Sequence, residues 1–168
     1  DNVVLPVPAS SSLSSQTYIE VISHLYNERT TEACYMIQMI LAEDGVVAMG
    51  LGGALLDKED LKIQVVSDGR SLLDRLNEAP NFFHAVVMRY DLPEIDGPEC
   101  LKFIRQFHER VCVLVLSDST EPERLEKLAG LGVRRKYVMD RAEDTKQIAA
   151  WIDFTLGEAG LDGKQRPD

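Results

Sequence analysis

The chain has 168 residues, 45% of them hydrophobic and 27% charged, with a formal net charge of −10 at pH 7. That length suits one core of ordinary size, and no apolar run approaches the roughly 18 residues that cross a bilayer. The negative charge disfavours direct binding to nucleic acid, since the one dense cationic run, Arg134-Arg135-Lys136, reads as a solvated strand entrance.

Residues 1–16 join a short apolar run, Val3-Val4-Leu5, to a Pro- and Ser-rich stretch, so an N-terminal linker or an extra edge strand over 3–7 is expected. Residues 17–22 read as the first strand. The helix after it places Ala33, Met36, Ile37, Ile40 and Leu41 on one face at helical spacing. Residues 45–60 then stand as an insertion before a second strand at 62–66. Within it, Val46-Val47-Ala48-Met49 and Gly50-Leu51-Gly52-Gly53 resemble a strand-to-helix glycine turn for a nucleotide. However, Leu55 stands where that fingerprint needs glycine, and no room is left for a crossover helix. A flexible apolar flap or a packing surface is the expected role.

Ser67-Asp68 can cap a helix that buries Leu72, Leu73 and Leu76 and stops at Pro80. The third strand, 85–88, is continuously apolar, as a strand covered on both faces should be. A turn with Pro93 and Gly97 then leads to a helix bearing Cys100, Phe103, Ile104 and Phe107. Residues 111–116 repeat the apolar pattern, and the next helix carries Leu125, Leu128 and Ala129. A short strand near Tyr137-Val138 precedes a last helix with Ile148, Trp151, Ile152 and Leu156. Five strands alternating with five helices predict an α/β fold, a doubly wound five-stranded parallel sheet with helices on both faces. Residues 17–157 would form this domain and 158–168 a C-terminal tail. Function is then sought just beyond the carboxyl ends of the strands.

Cys34, Cys100 and Cys112 are odd in number and lack metal-ligand spacing, which points to free thiols in a reducing, cytoplasmic setting. A start at Asp1 without methionine points to a piece of a longer protein. His24, His84 and His108 share no ligand spacing, and Ser117 has no recognisable base to make it a nucleophile.

The segment AVVMRYDLPEIDGPECLKFIR, residues 85–105, resembles the third strand, following loop and third helix of receiver domains of two-component response regulators. Leu92, Pro93, Asp96 and Gly97 match that pattern in type and spacing. VLVLSDST and GLGVRRKYVMDR resemble the family's fourth strand and the segment around its fifth. The resemblance implies a flavodoxin-like sheet of order 2-1-3-4-5. It also places Arg89 at the phospho-accepting aspartate, where a guanidinium, permanently protonated, cannot form an acyl phosphate. Ser23 and His24 fall at the two acids that hold magnesium in the family, so neither metal nor other cofactor is expected. Ser117 and Tyr137 fall at the switch hydroxyl and aromatic, Asp140 at the lysine, and Arg141 at the usual proline. Arg89 and Asp140 suggest a charge-swapped pair, with two solvated side chains as the plainer alternative.

The expected protein is a degenerate receiver, or pseudo-receiver, and not an enzyme. It would act without phosphorylation as a protein-protein interaction or regulatory domain of a larger signalling protein. Its partner would be another protein or other domains of the parent chain, with a homodimer left open. The alternatives are a phosphoryl-accepting receiver using a displaced Asp91 or Asp96, and a small-ligand sensor.

Overall fold

A computed structural model describes residues 36–161. Five strands alternate with five helices: β1 Ile37–Ala42, α1 Gly45–Ala54, β2 Leu61–Val66, α2 Gly69–Glu78, β3 Ala85–Arg89, α3 Gly97–Phe107, β4 Cys112–Ser117, α4 Pro122–Gly130, β5 Val138–Asp140 and α5 Thr145–Glu158. A turn of 3-10 helix, Arg135–Tyr137, leads into β5. All four strand pairings are parallel and the order is β2-β1-β3-β4-β5. This is the doubly wound sheet that the alternation predicts.

The three central strands are apolar apart from Gln38 and the terminal Arg89 and Ser117, because both of their faces are covered. Alternate residues divide between two cores. Ile40, Val86, Met88, Val113 and Val115 meet Leu72, Leu76, Leu101, Ile104 and Leu128 from α2, α3 and α4. Met39, Leu41, Ala85, Val87, Leu114 and Leu116 meet Leu51, Ile148, Ile152 and Leu156 from α1 and α5. Each fully buried aliphatic side chain contributes roughly 1.5–3 kcal/mol, so these two layers fix the strand ends on which the site is built.

The N-terminal half differs from the sequence expectation. The first strand of this sheet is Ile37–Ala42, where a helix over 33–41 was expected, and the strand expected at 17–22 lies outside the described residues. The apolar residues between 36 and 41 fit one helical face, but a continuous apolar run of strand length satisfies that spacing too. Central placement between β2 and β3 decides the matter, because it demands apolar residues on both faces. Residues 45–54 are consequently the ordinary crossover helix α1 and not part of an insertion. The glycine run lies inside that helix, so it forms no nucleotide-binding turn.

Local signals set the helix starts. Asp44, Asp68 and Asp96 each cap a helix by accepting a backbone N–H: from Val47 at 3.0 Å, Ser71 at 2.7 Å and Glu99 at 2.9 Å. Two glycines are required by close approach. A Cβ on Gly69 would stand 1.9 Å from the carbonyl oxygen of Ile95, and one on Gly97 would stand 2.7 Å from that of Tyr90. The first contact packs the β3–α3 loop against the start of α2, and the second closes that loop on itself. Among the described residues no helix is long and apolar enough to cross a membrane.

Gly69→Ala should destabilise the domain by on the order of 2–4 kcal/mol, because backbone must move to admit the methyl group. Gly53→Ala, on α1 with open space around the new Cβ, should stabilise by about 0.5–1 kcal/mol. Urea denaturation of both variants measures the contrast, and equal effects would show that the Gly69 contact is not tight.

Candidate functional site

Beyond the carboxyl ends of the strands, charged side chains from four segments converge. β1 ends in Ala42, and Glu43 and Asp44 follow it. The Glu43 carboxylate is fully buried, which is sustainable only with a counter-charge and hydrogen bonds. Arg141, just after β5, supplies both. Its Nε donates to the two Glu43 oxygens at 3.1 and 3.0 Å, and its Nη2 donates to Glu43 Oε1 at 2.9 Å and to Asp44 Oδ2. Nη1 reaches Asp118 Oδ1, in the β4–α4 loop, at 3.5 Å. The Arg141 side chain is only 17% exposed. Its guanidinium proton is held even more firmly than usual, chiefly through the hydrogen bonds to Glu43.

The Arg141 backbone helps to aim the side chain. Its N–H donates to the Ser117 carbonyl at 2.9 Å, extending the β4–β5 ladder one step past the last strand pair, Ser117 and Asp140. Asp44 is held below its ordinary value of 3.8, first by the Val47 N–H it accepts and then by the Arg141 charge. The stabilisation from this lowered carboxyl is complete above that ordinary value and fades as pH falls through the lowered one.

A second guanidinium closes the other side. Arg124 of α4 donates to Asp91 at 2.8 Å and to the Ser117 hydroxyl at 3.3 Å, and it lies 4.3 Å from the Tyr90 ring centre. It therefore ties α4 to the loop after β3. The Ser117 hydroxyl also donates to the Ser119 carbonyl at 2.6 Å. Tyr137, half-buried, packs against both cores, with Lys136 and Arg134 over its ring at 5.3 and 5.6 Å.

Arg89 ends β3, in register with Leu116. Its nearest carboxylate is Asp118 at 4.0 Å, and its Nε is buried without a hydrogen-bond partner. The expected pair of Arg89 with Asp140 is not formed. Arg89 turns instead to Asp118, just past the neighbouring strand β4, and the Asp140 carboxylate folds back to accept the Ala142 N–H at 2.9 Å. Asp91 and Asp96, the displaced acceptors considered above, are engaged by Arg124 and by the α3 N-terminus respectively.

Ser23 and His24 lie outside the described residues, and the two positions that follow β1 are Glu43 and Asp44. The acid pair was therefore missed because the first strand was placed about 20 residues too early. An adjacent Glu-Asp directly after the apolar run Ile40-Leu41-Ala42 is the signal that could have found it.

Residues 39–153 match the response regulator receiver domain family. The chain belongs to that family. Among solved structures, the receiver fold resembles chemotaxis protein CheY4 of Vibrio cholerae, with a TM-score of 0.61 and 17% identity over 74% of this chain and 98% of that one. It also resembles the signal receiver domain of the response regulator NarL of Mycobacterium tuberculosis, at 0.60 and 16% over 74% and 96%. A stretch of 81 residues, 45% of this chain, is 26% identical to hybrid signal transduction histidine kinase K of Dictyostelium discoideum and spans 6% of that protein. Receiver domains are regulatory modules of signalling proteins.

Receivers hold magnesium through the acids after β1, and this receiver's donor set does not fit the ion. Magnesium requires free oxygen ligands at about 2.0–2.1 Å in octahedral array. Here both Glu43 oxygens and Asp44 Oδ2 accept hydrogen bonds from Arg141, and Asp44 Oδ1 caps α1. Arg89 adds a further cation at the end of β3.

Removing either arginine should have opposite consequences. Arg141→Met leaves the Glu43 charge buried and uncompensated, and should cost about 3 kcal/mol. Arg89→Met relieves a buried N–H without a partner, and should be neutral or stabilising by up to about 1 kcal/mol. Chemical denaturation measures both, and comparable losses would contradict this division of roles.

Proposed function

We propose that this receiver domain works without phosphorylation, as a protein-interaction and regulatory module of a larger, cytoplasmic signalling protein. The observation that carries the reading is Arg89 at the end of β3, the place of the phospho-accepting aspartate in the receiver pattern. Forming an acyl phosphate needs a carboxylate oxygen to attack phosphorus, and a guanidinium offers no such nucleophile at neutral pH. The other residues around the pocket support the same reading. Glu43 and Asp44 are both paired with Arg141, and the Ser117 hydroxyl is engaged by local backbone and by Arg124.

Analogy with the family directs the partner, a protein or another domain of the parent chain, to the surface of α4, β5 and α5. Arg124 fastens α4 to the loop after β3, which would present that surface in one conformation. The net charge of −10 disfavours nucleic acid as a direct partner. A homodimer on the same surface would serve the same regulatory purpose.

Incubation with acetyl phosphate and magnesium, followed by intact mass measurement, tests the proposal. The expected result is an unchanged mass. A stoichiometric, acid-labile gain of one phosphoryl group would overturn it.

A further inference from the structure

We infer that Arg141 is this receiver's resident cation. Its guanidinium occupies the position of a divalent ion between Glu43, Asp44 and Asp118 and makes the domain independent of metal.

The inference starts from Glu43. A fully buried carboxylate is not stable alone, and among the described residues the cation that contacts it is Arg141. The contact is made through Nε and Nη2 together. This forked geometry fixes the direction of approach as well as the charge, which a single ammonium on a flexible stem would not do.

The three carboxylates belong to two separate parts of the chain. Glu43 and Asp44 follow β1, and Asp118 follows β4. Arg141 follows β5 and contacts all of them, so one guanidinium binds together the ends of three strands. A metal ion shared by those acids would perform the same mechanical task, but it would come and go with its concentration. A side chain is present at all times. It also delivers one positive charge and not two, and Arg89, 4.0 Å from Asp118, supplies part of the difference. Glu43 and Asp44 thus stand where the family's two metal acids stand, with a counter-ion that is covalently part of the chain. This assignment is independent of whether the domain is phosphorylated, since it concerns Arg141 and the acid pair and not the residue at the end of β3.

The test is titration of the whole chain and of Arg141→Gln and Arg141→Lys with manganese, followed by melting curves with magnesium or a chelator. The intact protein should bind no manganese at millimolar concentration and should melt at one temperature in magnesium and in chelator. Arg141→Gln should melt on the order of 10 °C lower in chelator, bind manganese, and recover several degrees in magnesium. Arg141→Lys should keep a cation in place and remain largely indifferent to metal.

Saturable manganese binding by the intact chain would overturn the assignment. So would an Arg141→Gln protein that melts like the parent or gains no metal response. Should Arg141→Gln fail to fold even in magnesium, the assignment is supported only if Arg141→Lys folds and stays metal-indifferent; a Lys variant that needs metal to fold overturns it. Failure here would leave the phosphodonor result untouched, and the two readings are therefore separable.

Discussion

Glu43 places a carboxylate just beyond the end of β1, with no exposure to solvent. Everything around it is arranged by the need to compensate that buried group. Arg141 must come within hydrogen-bonding distance, which requires β5 to run alongside β4 and to end level with β1. The parallel register does this, pairing Ser117 with Asp140 so that the next residue, Arg141, emerges over the carboxyl edge. Asp44 then performs two tasks at once, capping α1 with one oxygen and meeting Arg141 with the other. The first crossover helix and the last strand are coupled through a single aspartate.

The same edge explains the behaviour of the remaining polar groups. Arg89 ends β3 with a charge, and it contacts the already shared Asp118 at 4.0 Å. Its unpartnered Nε marks a site where packing and hydrogen bonding are in conflict. Arg124, by contrast, has an aromatic face, a carboxylate and a hydroxyl around it, and α4 is anchored accordingly. Fixed contacts thus hold the ends of β1, β4 and β5 together and α4 against the loop after β3.

Much of this was legible in the residues. From β2 onward, short apolar strands alternate with helices whose caps and glycines stand in plain view, and the Leu92-Pro93 and Asp96-Gly97 pairs set the register of β3 well enough to locate Arg89. The beginning was not legible in the same way. Residues 37–42 are apolar on both faces except at Gln38, so their spacing fits a helical stripe as well as an inner strand, and the error displaced the acid pair to Ser23 and His24. The role of Arg141 could not be read from any local pattern, because its partner Glu43 is 98 positions away and only the sheet order brings them together. Conversely, the pairing of Arg89 with Asp140 was reasonable by charge and lost to nearer partners, Asp118 for Arg89 and the Ala142 N–H for Asp140. Sequence supplies which charges face the same edge, and local competition decides which of them meet.

The central claim is that the pocket at the strand ends is occupied by its own arginines and does not respond to the ligands of a working receiver. Amide and arginine side-chain chemical shifts, recorded before and after addition of magnesium together with beryllofluoride as a phosphoryl mimic, address it directly. The account predicts that Glu43, Asp44, Arg89, Ser117, Asp118 and Arg141 keep their positions in the spectrum throughout. Saturable shifts at these residues, spreading to α4 and β5, would contradict it.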